Sequence, residues 1–279
     1  MKINKKLKSL RRFRSEQGSL GYAILRKLSR GRLKRQLLIR TDPKLFNHSA
    51  RRINRVMSNR EFSYLEIGVA QGTTLQSVNS KEKHGVDPNP LFNVKRLPEN
   101  TSFDYMTSDA YFKIQPSNVK FDFIFLDGLH ESNQLLRDLH NSLKHVKPGG
   151  WILVDDVIPS DSISAFPDID ESYSMRGVTP IEGFPWHGDC YKILPIVFNT
   201  LKSVEPFIII YPDNPQLLLR TSNNQHEIND DVKAITELDS SSLNFQYHEV
   251  FSRENISRYP IYIEEILIND LINKSLIKA

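Results

Sequence analysis

Three carboxylates, Asp127, Asp155 and Asp156, stand in two short stretches, "FDFIFLDGLH" and "WILVDDVIP". Each stretch is an apolar run ending in acid. That is the pattern of a strand buried on both faces of a parallel sheet, with polar residues emerging at its carboxyl end. Acids gathered there repel one another and hold their protons unless a cation offsets them. Hard divalent ions such as Mg²⁺ or Mn²⁺ take oxygen ligands of this type. His130 follows Asp127 by three residues, and a neutral imidazole can remove a proton near pH 7. The alternative for His130 is to orient a ligand or cap the helix that begins near Glu131. A second patch, "WHGDCYK" from Trp186 to Lys192, offers His187, Asp189 and Lys192 to a substrate. Trp186, Tyr173 and Phe166 are available to stack on a sugar ring, and Trp186 and Tyr191 would equally serve to anchor a loop.

These residues need a frame. "YLEIGVAQGTTL" reads as a strand turning into a helix at Gly68 and Gly72, glycines that allow a close backbone approach. It is not the G-x-G-x-x-G fingerprint, since Ala70 occupies the second position. "KHGVDP" and "SFDYMTSDA" read as further strands, ending at Asp87 and Asp109. Asp87 is placed to accept ribose hydroxyls, or is an ordinary turn residue before Pro88. "ESNQLLRDLHNSLKHV" has helical apolar spacing, and "KPGG" is expected to stop it. A helix is expected from about Ile193, with Pro195 in its first turn, and "PFIIIYPDNPQLLLRTS" as a hairpin. The stretch 157–186 lacks periodicity and reads as a long functional loop, a candidate lid. The sum is an α/β, doubly wound, Rossmann-like sheet with a C-terminal antiparallel hairpin and a basic N-terminal helical extension. The expected divisions are an extension over 1–44, the main domain over 45–222, and a C-terminal extension over 223–279 packing on that domain.

The order "LEIGVAQG", "VDP", "SDA", "FDFIFLDGLH", "LKHVKPGGWILVDDV" resembles the class I S-adenosylmethionine-dependent methyltransferases over roughly residues 60–220. Within that class the three acids are similar to those of metal-dependent O-methyltransferases acting on sugar hydroxyls, of the macrocin and mycinamicin type, and more distantly to the catechol type. The resemblance implies that Glu66, Gly68, Gly72 and Thr73 line the methionine side of S-adenosylmethionine. It assigns Asp87 to the ribose, Ser108, Asp109 and Ala110 to the adenine, and Asp127 to both cofactor and metal. It implies Mg²⁺ or Mn²⁺ on Asp127, Asp155 and Asp156; His130 and Asp127, with His187 from the second patch, are the candidate catalytic residues. The expected acceptor is a saccharide or small molecule. The competing readings are an RNA methyltransferase and a non-catalytic scaffold of the same fold.

Charge is unevenly spread. Residues 1–40 carry 14 Lys or Arg against one acid, Glu16, a balance of +13, and the rest of the 279 residues carries −9. A basic arm can meet nucleic acid, anionic lipid or an acidic glycan. No run approaches the roughly 20 apolar residues of a membrane span. One cysteine, Cys190, allows no intrachain disulfide, which with the lack of a secretory core leads us to expect a cytoplasmic protein. A homo-oligomer is compatible with the sequence.

Overall fold

The computed structural model describes residues 47–277, apart from 59, 178–184 and 212–213. The basic extension expected over 1–44, and part of the expected 157–186 loop, lie outside the described residues. Eight strands form one sheet: β1 (Ser63–Ile67), β2 (Glu82–Val86), β3 (Thr101–Asp104), β4 (Phe121–Leu126), β5 (Val146–Val154), β6 (Val204–Tyr211), β7 (Gln216–Thr221) and β8 (Ile261–Ile263). Their order is β3-β2-β1-β4-β5-β7-β6-β8. The first five are parallel, β7 is antiparallel to both β5 and β6, and β8 runs parallel to β6. β1 lies between β2 and β4, so strand order reverses there, and ligands of open α/β sheets bind beyond such a point.

The apolar runs serve two cores by strand alternation. Leu65, Ile67, Ile124, Leu126, Ile152 and Val154 face one side. They pack against α3 (Ser108–Ile114), α4 (Ser132–His145), α6 (Ile193–Asn199) and α7 (Gln225–Thr236). Tyr64, Phe123, Phe125, Trp151 and Leu153 face the other side. That face is covered by α1 (His48–Val56), α2 (Thr73–Ser77) and α10 (Glu264–Asn273). Two short helices, α8 (Tyr247–Val250) and α9 (Arg253–Ile256), precede β8. Among the described residues no helix is long and apolar enough to cross a membrane.

Four local expectations change. β3 ends at Asp104 rather than at the Asp109 expected from the sequence, and Ser108 and Asp109 open α3, capped by Thr107. "KPGG" does not separate α4 from a later strand; α4 ends at His145 and β5 begins at Val146. Gly149 takes φ +72° and donates its N–H to Ser222 O at 2.8 Å, so the glycines let the strand itself bend. The 157–186 stretch contains a helix, α5 (Ile169–Arg176), capped by the Asp168 side chain and closed by Gly177 at φ +61°. The C-terminal extension, expected only to pack on the domain, supplies β8 and α10, so the tail adds the eighth strand.

α1 and α10 meet through charge. Glu264 accepts from Arg51 at 2.7 Å, Arg52 at 3.0 Å and Arg55 at 3.1 Å. Arg52, fully buried, also donates to Gln216 Oε1 and Asn214 O at 2.6 Å. Burial pushes the Glu264 carboxyl up, but Arg51 and Arg52 outweigh it and hold it at about 2, below its ordinary 4.5. A carboxyl depressed on folding stabilises the protein above its unfolded pKa, and loses that stabilisation as pH falls toward the folded value. Glu264→Gln is therefore expected to cost on the order of 3 kcal/mol at neutral pH. Denaturant unfolding should show the gap to wild type narrowing as pH drops from about 4.5 toward 2; a gap independent of pH would contradict this.

Candidate active site

The β4–α4 loop carries Asp127 and His130, and the residue after Asp155 at the end of β5 is Asp156. Ligand atoms of Asp127, His130 and Asp156 lie within 4.8 Å of one another. His130 Nε2 is 3.1 Å from Asp156 Oδ2 and 3.8 Å from Asp127 Oδ1. His187, buried, brings Nε2 to 3.9 Å from Asp156 Oδ1. Asp156 is left-handed, φ +58°, an uncommon conformation for a residue with a side chain. That turn breaks the strand's alternation and sends the Asp156 carboxylate toward His130.

Asp155 points elsewhere. Its Oδ1 accepts from Asn214 Nδ2 at 2.8 Å and from the Asp156 N–H at 2.9 Å, and its Oδ2 accepts from Gln216 Nε2 at 3.0 Å. Gln216 is gripped in turn by Arg52. Asp155 thus ties the end of β5 to β7 and α1, and the cluster of donor atoms has His130 where the sequence suggested this acid.

The electrostatics follow. Burial raises the carboxyl of Asp156 well above its ordinary value, and the charges of Asp155 and Asp127 add to the rise despite His130. Asp127 is also raised by burial, against the pull of His130. Burial alone would lower the His130 imidazole, but the hydrogen bond to Asp127 and the charges of Asp156, Asp127 and Asp155 lift it to about 9. A site of clustered acids holding protons against their preference favours a cation.

The second patch builds the wall of this site. Trp186 stacks on His130, ring centroids 5.0 Å apart at 20°, and its Nε1 donates to Phe166 O at 2.7 Å. Gly188 is left-handed, and a Cβ there would stand 1.8 Å from His130 O. Asp189 caps α4 from outside, accepting from Ser132 N at 2.6 Å and Ser132 Oγ at 2.8 Å, while Lys192 pairs with it at 2.9 Å. Lys192 is therefore engaged in the loop, and Trp186 anchors it. From sequence, Asp189 and Lys192 are expected at a substrate instead.

Across the switch point, Gly68 (φ +80°) packs its Cα against the carbonyl of Asp127. Asp87 Oδ2 accepts from Val69 N at 2.9 Å and Ala70 N at 2.8 Å, and Oδ1 accepts from Asn89 N at 2.7 Å. A carboxylate has about four acceptor positions, so one remains on Oδ1 for a ribose hydroxyl. Glu66 is buried, accepts from Tyr64 OH at 2.6 Å, and is raised by that burial. Thr73 starts α2, exposed beside Gly72. Ser108 Oγ accepts from Gln134 Nε2 at 3.1 Å, Asp109 pairs with Arg137 at 3.3 Å, and Ala110 N donates to the Thr107 cap at 3.3 Å. These residues all border the carboxyl ends of β1, β2 and β3.

The family described as a methyltransferase domain matches residues 65–157, the span from β1 through Asp156. Residues 65–157 therefore carry the likeness of a methyltransferase domain. No curated protein matches this chain by sequence. It is similar in structure to the N-methyltransferase NodS from Bradyrhizobium japonicum WM9, with 17% identity, 65% of this chain and 98% of that one covered, and TM-score 0.40. It is also similar to cofactor-bound Rv0187 from MTB, with 12% identity, 69% and 97% covered, and TM-score 0.48. A third likeness is to MycE of the mycinamycin biosynthetic pathway, in complex with Mg, S-adenosylhomocysteine and mycinamycin VI. Its identity is 15%, with 61% of this chain and 47% of that one covered, and TM-score 0.41.

Proposed function

We propose that the protein is an S-adenosylmethionine-dependent O-methyltransferase, assisted by a divalent cation, acting on a hydroxyl of a sugar, glycoside or small natural product. The observation that carries this reading is the convergence of Asp127, His130 and Asp156 beside the Gly68 turn. The two carboxylates, Asp127 and Asp156, each raised by burial, suit the cation, and His130 stands beside them. Bound there, Mg²⁺ or Mn²⁺ supplies Lewis acidity that lowers the pKa of an acceptor hydroxyl.

The rest of the chemistry belongs to the chain. Asp127 and Asp156 hold the cation. With a cation on those acids the charges that lift His130 are offset, so its imidazole gives up its proton to solvent and then takes that of the acceptor hydroxyl. Ligating histidines nearly always donate their other ring nitrogen to an acceptor, whereas His130 Nδ1 is buried without one and the ring is held by Trp186. That favours a base over a ligand. Asp156 then faces the imidazolium that forms. Asp87 Oδ1 orients the cofactor ribose, and Asp155 stays behind Asp156 as its support. The acceptor oxygen attacks the methyl carbon, the carbon–sulfur bond breaks with its electrons going to sulfur, and the hydroxyl proton goes to His130. The products are a methyl ether and S-adenosylhomocysteine, and alignment supplies much of the rate.

The test is transfer of a labelled methyl group to a panel of glycoside and natural-product hydroxyls, with Mg²⁺ or with a chelator. At least one acceptor should be labelled, with loss of about a hundredfold or more in chelator. Equal rates in both would remove the metal from the reading.

A further inference from the structure

Two cavities lie side by side where the C-terminal extension packs on the domain. The first, about 410 Å³, is walled by Ser132 and Asn133 at the start of α4, by Asp189 and Lys192, and by Ser241 and Asn244. The second, about 550 Å³, lies between α6 and the segment 244–259, where Phe198, Asn199, Phe245, Glu249, Arg258 and Tyr259 line it. Asn244 borders both and joins them into one groove. Each has the size of a small-ligand site, roughly 300–1,000 Å³.

The groove begins at the candidate active site. Ser132 follows His130 by two residues, and the Asp189 carboxylate holds both its N–H and its hydroxyl. Gly188, beside Asp189, packs on the His130 carbonyl. Tyr191 fixes the far bank to the near one: its OH donates to Phe245 O at 3.2 Å, and its ring meets those of Tyr247 and Phe251 at 5.8 Å.

The lining selects a ligand. Its charges cancel: Asp189 pairs with Lys192 at 2.9 Å, and the remaining two, Glu249 and Arg258, are of opposite sign. A phosphodiester chain needs an excess of cations, and an acyl chain needs an apolar lining. This groove offers amides and ring faces. Among the described residues the side chains of Asn133, Asn199 and Asn244 make no hydrogen bond, so each presents an acceptor oxygen beside an NH₂ donor. A hydroxyl is donor and acceptor at once, and neighbouring hydroxyls of a pyranose match that amide pair. Phe198 and Tyr259, ring centroids 4.7 Å apart, supply apolar surface for the C–H face of a sugar.

We infer that this groove binds a neutral oligosaccharide, whose terminal sugar reaches His130 and Asp156 while the units behind it lie over Asn244 against the C-terminal extension. The placement of the terminal sugar rests on the O-methyltransferase reading; the binding of the units behind it rests on the groove. The extension then has a function of its own, the selection of acceptors by length.

The test is binding of the labelled full chain to an array of neutral and acidic glycans one to six units long, with no methyl donor and no metal. Neutral glycans of three or more units should retain the protein, and monosaccharides should not. Asn199→Ala with Asn244→Ala should weaken that binding by about tenfold or more. Thermal unfolding should not change, since both side chains are exposed. An array that retains nothing would overturn the inference, as would a preference for acidic glycans or binding indifferent to the double variant. So would casein peptides that bind the chain and are lost in the same variant. Methyl transfer to simple glycosides beside an empty array would strike the groove alone and leave the catalytic reading standing. Glycans that are retained but never methylated would strike the catalytic reading, and with it the placement of the terminal sugar.

Discussion

Asp156→Asn is expected to raise the unfolding temperature of the protein in chelator, to abolish the further rise that Mg²⁺ gives the wild type, and to cut methyl transfer by about a thousandfold. The first effect follows from the site itself. Burial, Asp155 and Asp127 hold the Asp156 carboxyl well above its ordinary value. A carboxyl raised on folding destabilises the protein at any pH above its unfolded pKa, because the folded state disfavours the charge that the unfolded state carries freely. Asparagine removes that charge. It also tolerates the φ of +58° better than most residues, so the backbone has no reason to move. The second and third effects follow because a cation that binds only the folded state stabilises it by mass action, and the amide is a weaker ligand than the carboxylate. Thermal unfolding in Mg²⁺ and in chelator, with labelled methyl transfer alongside, reads all three. A variant that still gains stability from Mg²⁺ would show that the ion binds elsewhere.

The second large effect concerns Gly68. Gly68→Ala should destabilise the protein by about 4 kcal/mol or more, and with it remove cofactor binding. Its φ is +80°, and an added Cβ would stand 2.0 Å from Asp127 O, 2.4 Å from Asp127 C and 2.6 Å from Gly128 Cα. Those are backbone atoms at the end of β4, pinned by Asp127 N donating to Ile67 O at 2.9 Å. They cannot swing aside. Gly177→Ala is the control: it shares a left-handed φ of +61°, but nothing lies within 4 Å of the added carbon. That variant should lose only the backbone term, about 1 kcal/mol. Equal losses in the two, measured by denaturant unfolding, would show that the close approach of β1 to β4 is not what holds this turn.

Much of this was readable from local chemistry. The apolar runs of β1, β4 and β5 fill two cores at once, which is why they are continuous and not alternating. The acids that end them mark the site for the same reason. What sequence could not settle was the division of labour between Asp155 and Asp156. Neighbours on a strand face opposite ways, and only the left-handed turn at Asp156 decides which one faces His130. The partners that take up Asp155 come from Asn214, Gln216 and, behind them, Arg52. Those contacts span 59 to 164 residues of chain, beyond any local pattern. β8 escaped for a similar reason, since a three-residue strand followed at once by a helix has too little periodicity to separate the two. Lys192 looked like a substrate contact because its type suits one, but Asp189 needs it while capping α4.

The central claim is that the turn between Gly68 and Asp87 holds a methyl-donor nucleoside. Calorimetric titration of S-adenosylhomocysteine into the full chain, beside Asp87→Ala, tests it most directly. One equivalent should bind wild type, and binding should vanish in a variant that still unfolds cooperatively. A folded wild type that takes up no S-adenosylhomocysteine would contradict the account.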